Sequence, residues 1–186
     1  MQDDLQLIEE FKNNSKSAFE SLYVRYASKM KGVAYRYTGN RMEAEDVLHD
    51  AFIKVYEKIN SLKDNSLFEG WLRRIVVNQA LDFLKAKKKL REISDESIQL
   101  NAFSESDERS PYEGISTKEL MATLELLPIG YKTIFNLCVI DGFQHKEVAE
   151  RLGISEGTSK SQLAKAKQFL RNILCEKIRI AAKNVA

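Results

Sequence analysis

Asp46, His49 and Asp50 fall at i, i+3 and i+4, which puts two carboxylates and an imidazole on one helical face. Glu43 and Glu45 extend the acidic run. Such a set has metal-ligand chemistry, but the sequence offers no fourth ligand beside it. Two other readings stay open: a solvated acidic face, or a docking surface for a basic partner. His145 has no partnered nucleophile or base and reads as the start of a helix. Cys138 and Cys175 are too few and too scattered for a disulfide framework or a zinc site. Neither a nucleophile–base pair nor a phosphate-cradling loop is present, so no catalytic residue, cofactor or metal is expected.

Binding chemistry is better represented. Between Trp71 and Arg91 stand seven basic residues against a single acid, Asp82. Arg73 and Arg74 lie one turn before Asn78, and Lys85, Lys87, Lys88, Lys89 and Arg91 prolong the basic surface. Such charge binds phosphates without regard to sequence, while Asn78 and Gln79 could add base contacts. The bland alternative is a solvated helix end, with Trp71 in the core.

Gln144 to Arg171 has the design of a helix-turn-helix. Ala149 is small enough to let a second helix cross closely, and Gly153 tolerates the left-handed turn. Ile154 can plug the gap, and Ser155 can accept from the free amides of the second helix. The expected outward set is Thr158, Lys160, Ser161, Gln162 and Lys165, with Leu163, Ala166 and Leu170 inward. Short polar and basic side chains there suit base edges and flanking phosphates. A helical hairpin with a basic face is the alternative.

Helices must position all of these groups. Ser17 with Glu20 has the capping-box spacing, followed at helical intervals by Phe19, Leu22, Tyr23, Tyr26, Met30, Val33 and Tyr37. Gly39 is placed to end that helix. Asn40 with Glu43 opens the next, striped by Ala44, Val47, Leu48, Ala51, Phe52, Val55, Tyr56 and Ile59. Ser66 with Glu69 opens a third, carrying Phe68, Leu72, Ile75, Val76, Ala80, Phe83 and Leu84. Three amphipathic helices make a bundle. Periodicity is lost over residues 92–117, which hold one arginine against seven acids and read as a flexible linker. It resumes near Thr117, with helices expected over Tyr131–Ile140, over His145–Leu152 and from about Glu156.

The net charge of +2 hides this organisation. Residues 1–91 and 118–186 are each basic on balance, and the stretch between them is acidic. The 44% hydrophobic content can form cores, and no run of about 18 apolar residues suggests a membrane span. The acidic start, Met1-Gln2-Asp3-Asp4, lacks the plan of a secretory signal, so a cytoplasmic location is expected.

Three segments together resemble a known family. GNRMEAEDVLHDAFIKVY (residues 39–56) resembles the core-binding helix of sigma region 2. FEGWLRRIVVNQALDFL (68–84) is similar to that region's promoter-melting helix. Leu127-Pro128 and then HKEVAERLGISEGTSKS (145–161) resemble sigma region 4. The order, and the lack of intervening regions, resemble the extracytoplasmic-function (ECF) type. The resemblance implies an all-α chain: region 2 over 1–91, a flexible acidic linker over 92–117, and region 4 over 118–186. It implies a transcription initiation factor without enzymatic activity that binds core RNA polymerase (β′ and β subunits) and promoter DNA, and is held by an anti-sigma factor. Residue by residue, Glu43, Asp46, Asp50 and Phe52 match the polymerase-docking helix. Asn60, Ser61, Leu62, Lys63, Asp64, Asn65 and Ser66 match the loop that captures a base of the −10 element, and Arg73, Arg74, Asn78 and Lys85 match the helix after it. Thr158, Lys160, Ser161, Gln162 and Lys165 match the reader of the −35 element. Ser159 departs from the usual Val or Ile, and Gln162 from a frequent Arg. The rival readings are an operator-binding regulator with a sensing bundle and a helical metalloenzyme using His49.

Overall fold

The computed structural model describes residues 3–87 and 116–183, all of whose regular structure is helical. The chain divides into two compact units, Met1–Lys88 and Lys89–Ala186. Lys88, Lys89, Arg91 and all but the last two residues of the acidic connection lie outside the described residues.

The N-terminal unit holds four helices where three are expected from the sequence. The additional one, α1 (Asp4–Lys12), buries Leu7, Ile8 and Phe11 and ends where Asn14 turns the backbone at φ +65°. Asparagine tolerates that conformation better than other residues with a Cβ. Helix α2 (Lys16–Thr38) then starts earlier than expected: Ser15, not Ser17, is the cap, accepting from the Ala18 amide at 3.3 Å. Gly39, at φ +69°, closes it by donating to the Tyr35 carbonyl at 2.8 Å. Asn40 opens α3 (Arg41–Lys58) as expected, its side chain accepting from the amides of Met42 and Glu43.

Helix α4 (Phe68–Ala86) does not begin from a Ser66–Glu69 box. Asp64 instead caps a short 3₁₀ turn, Asn65–Leu67, which runs directly into the helix. Its carboxylate accepts from the Ser66 amide at 2.9 Å, so the serine is not needed as a cap. Helices α2, α3 and α4 pack on one another around Leu22, Met30, Val47, Val55, Leu72, Val76 and Leu84, all essentially inaccessible. Each such side chain contributes about 1.5–3 kcal/mol on burial, so the bundle holds its outer faces in fixed directions.

In the C-terminal unit, α5 (Thr117–Leu124) starts with a complete Ser116–Glu119 capping box. Pro128 precedes α6 (Ile129–Phe135), which continues through a wider π turn to Ile140. That is the expected helix with two more residues at its start. Helix α7 (His145–Leu152) ends at Gly153, φ +69°, and α8 (Glu156–Lys183) follows. The cluster Leu124, Leu127, Tyr131, Phe135, Ala166 and Leu170 joins α5, α6 and α8. No helix among the described residues is long and apolar enough to cross a membrane.

Candidate nucleic-acid interface

The bundle sorts the acids of α3 by direction. Glu43, half-buried, accepts from Lys87 at 2.8 Å, tying the start of α3 to the end of α4. Glu45 pairs with Lys31, whose hydrogen bond and charge hold that carboxyl below the usual range. Asp50 accepts from the side chain of Gln79 at 3.1 Å. Asp46 stands on the exposed face, beside Met42, His49, Ile53 and Tyr56. Phe52 corrects the expectation of a presented contact: it is 3% exposed, with its ring against Tyr23 and Phe19. It is reached only as part of the lining of an apolar groove of about 450 Å³, with Phe19, Tyr23, His49, Ile53 and Tyr56. Among the described residues no three His, Cys, Asp or Glu side chains are grouped to hold a metal ion, so Asp46, His49 and Asp50 do not form such a site.

The stretch between α3 and α4 is fastened from within. Leu62 is buried, so the sequence expectation that it meets DNA is corrected. Lys12 of α1 donates to the Leu62 carbonyl at 2.7 Å and to the Asn65 side chain at 2.6 Å. Asn65 donates in turn to Glu9 at 3.0 Å. Ser61 donates to the Lys58 carbonyl. Asp64 accepts from both the hydroxyl and the amide of Ser66, and these bonds hold its carboxyl below the usual range. Asn60, Lys63 and Leu67 face outward, Leu67 being 62% exposed. Along α4, Arg74, Asn78 and Lys85 form an exposed stripe, and Arg73 is partly buried beside it.

In the helix-turn-helix, Ser155 caps α8, accepting from the Thr158 amide at 2.9 Å and sharing a hydrogen bond with the Thr158 hydroxyl. Lys160 and Ser161 are exposed, and Thr158 and Lys165 half-buried. Gln162 is buried, against the sequence expectation: it lies with Ser159, Ala166 and Leu170 on the inward face. The buried stripe takes i, i+3, i+7 and i+11 from Ser159, and this phase turns Gln162 away from solvent. The Ser159 hydroxyl lies 2.9 Å from His145 Nδ1, which is also 3.7 Å from the Cys138 thiol. The unusual serine therefore has a polar partner on α7, and burial raises the Cys138 pKa. Lys160 forms a 2.7 Å ion pair with Glu156, whose carboxyl it lowers.

Met42, Ile53 and Tyr56 on α3 and Leu67 before α4 are surface groups that sequence reasoning missed. The signal was present for Met42 and Ile53, which lie out of phase with the α3 core stripe. Ala164, Lys167 and Arg171 on the outer face of α8 were missed, although Leu163, Ala166 and Leu170 pack on the core as expected.

Comparison with known proteins places this arrangement in a family. Residues 22–90 match the model for Sigma-70 region 2, and residues 117–170 that for Sigma-70, region 4. The chain is 28% identical to the ECF RNA polymerase sigma factor SigE of Mycolicibacterium smegmatis, over 86% of this chain and only 62% of that protein. It is 30% identical to the ECF RNA polymerase sigma factor SigW of Bacillus subtilis, over 90% of this chain and 94% of that one. The sigma factor RpoE from Bartonella quintana, solved in complex with the anti-sigma factor NepR, shares the fold at TM-score 0.51 and 22% identity, covering 84% of this chain and 96% of that chain. Two family segments in order, and a relative matched along nearly its whole length, establish that the chain belongs to the ECF RNA polymerase sigma factors of the sigma-70 family.

Proposed function

We propose that this chain docks on core RNA polymerase through the outer face of α3 and directs it to promoters read at two elements. The observation that carries this reading is the division of outward surfaces among rigidly packed helices. Helix α3 presents Asp46 among Met42, His49, Ile53 and Tyr56 beside an apolar groove, a mixed surface suited to a protein partner. Helix α4 presents Arg74, Asn78 and Lys85, and the preceding loop Asn60, Lys63 and Leu67, a surface suited to the −10 element. Helix α8 presents Lys160 and Ser161 in the first turns after its cap, where a recognition helix meets the major groove at the −35 element.

Melting then consists of trapping an unstacked base against the loop, which offsets an unstacking cost of a few kcal/mol. Core polymerase supplies the chemistry, and this chain supplies position. An anti-sigma factor is the expected antagonist, by analogy with the Bartonella complex. Such a factor works in the cytoplasm, beside the DNA. The test is reconstituted transcription with core polymerase on genomic fragments, with start sites mapped. Initiation from a small set of sites sharing two spaced elements is the expected result. Initiation no different from that of core polymerase alone would overturn the reading.

A further inference from the structure

The loop between α3 and α4 has to meet a base in one conformation, yet it has few apolar anchors of its own: Ile59 is buried where it leaves α3, and Leu62 is the last buried side chain before Phe68. Its order comes instead from α1. That helix is fixed at its far end, where Tyr26 donates to Asp4 at 2.6 Å and Arg25 pairs with the same carboxylate. Leu7, Ile8 and Phe11 seat its middle in the core. At the near end, Lys12 joins the Leu62 carbonyl to the Asn65 side chain, and Asn65 returns to Glu9.

We propose that Lys12 is a positioning residue for the base-capturing loop, acting through Asn65 and the Leu62 carbonyl and not by touching DNA. The inference rests on the assignment of that loop to the −10 element. Its chemistry is specific: an ammonium has several donors and no acceptor, so one side chain can satisfy two oxygens at different points of the loop. With Leu62, Asn65 and Asp64 engaged inside the protein, Lys63 and the exposed Leu67 are the groups directed at the incoming base. Asn65 is thereby reassigned from a base contact to part of the frame.

The experiment uses the full chain on core polymerase and a duplex promoter recovered by start-site mapping. Opening is followed by permanganate reactivity of thymines in the −10 segment. Lys12→Met should slow opening about ten-fold, the scale of losing hydrogen bonds to a charged group. Lys12→Arg, which keeps donors, should recover most of the rate. Asn65→Ala, which breaks one of the two Lys12 bonds, should reproduce part of the defect, and the double variant should be less defective than the sum of the two, since both break the same tie. The dependence of binding on salt should stay as in the parent.

A direct phosphate contact by Lys12 predicts the opposite pattern. The salt slope would then fall by about one unit, and the two substitutions would add. That pattern, or unchanged opening in Lys12→Met, overturns the proposal. Lys63→Ala and Leu67→Ala separate the two levels of inference. If both open the promoter normally, the loop assignment falls and the positioning role with it; if they are defective while Lys12→Met is not, the positioning role alone falls. Fluorescence of Trp71 checks that each variant keeps its bundle, and Asn65→Ala carries the test should Lys12→Met lose it.

Discussion

Asp46 and Glu43 lie one turn apart on α3, and their substitution should fail in opposite ways. Asp46 is exposed on the face of α3 proposed to dock. At a solvated interface an ion pair at 4 Å is worth about 1 kcal/mol, and reversing one charge turns that attraction into a repulsion of similar size. Asp46→Arg should therefore cost about 2 kcal/mol of binding, roughly a thirty-fold rise in Kd for core polymerase. Glu43 has 17% of its side chain exposed and is bonded to Lys87, which is 45% exposed. A hydrogen bond to a charged group is worth about 1.5–3 kcal/mol when shielded, and solvent around Lys87 reduces this to about 1 kcal/mol. In a domain of this size that lowers the melting midpoint by about 4–8 °C.

Two assays separate these effects. Titration of core polymerase with labelled protein at moderate salt gives the affinity. Thermal unfolding followed by Trp71, the sole tryptophan of the chain and a residue of α4, reports on the N-terminal unit alone. Asp46→Arg should lose affinity with its midpoint unchanged, and Glu43→Gln should lose stability with near-parental affinity at low temperature. The reverse sorting, or equal loss of affinity in both, would refute the division of the acids by direction.

Three further outcomes follow from the site geometry. Glu156→Gln should release Lys160 for phosphate contact, tightening −35 duplex binding and steepening its salt dependence by up to about one unit; unchanged titrations at two salt concentrations would count against it. The Asp64 carboxyl, depressed chiefly by the Ser66 hydroxyl and then by its amide, contributes order that is present above its ordinary pKa of about 3.9 and is lost as pH falls through the depressed value. The Ser66 amide resonance should titrate in that acid range, and Asp64→Asn, which keeps an acceptor, should flatten the curve. Because Gln162 is buried, Gln162→Met should leave base preference at the −35 element unchanged in a selection from randomised duplexes; an altered preference would mean that the side chain reaches the groove.

Apolar stripes long enough to repeat made α2, α3 and α4 legible, and Gly39, Asn40, Gly153 and Ser155 marked ends whose backbone needs those residue types. Helix α1 was missed because nine residues give barely two repeats of the pattern. Both misplaced starts came from capping-box spacing: Ser17 and Ser66 have the right neighbours, but Ser15 and Asp64 reach the free amides first. Spacing cannot show which of two nearby oxygens gets there.

The site was legible in type and less so in orientation. Of the residues expected to face outward on α8, Lys160 and Ser161 are exposed, yet the inward stripe runs through Gln162, a polar residue whose type suggests an outward position. Direction on such a helix is settled by partners distant in sequence, as His145 is for Ser159. For the same reason the brace on the loop before α4 could not be anticipated, since Lys12 and Asn65 are 53 residues apart.

The bond between Ser159 and His145 bears on how this chain could change its preferred promoter. A methyl group in a greasy seat loses little when a helix turns slightly, because dispersion is nearly indifferent to direction. A hydrogen bond weakens steeply once its angle is spoiled. Helix α8 is thus held at a set azimuth by a directional bond as well as by bulk, which makes the display of Lys160 and Ser161 stiff against rotation. Drift of specificity in this chain should then proceed by exchanging side chains on the outer face, not by rolling the helix beneath them.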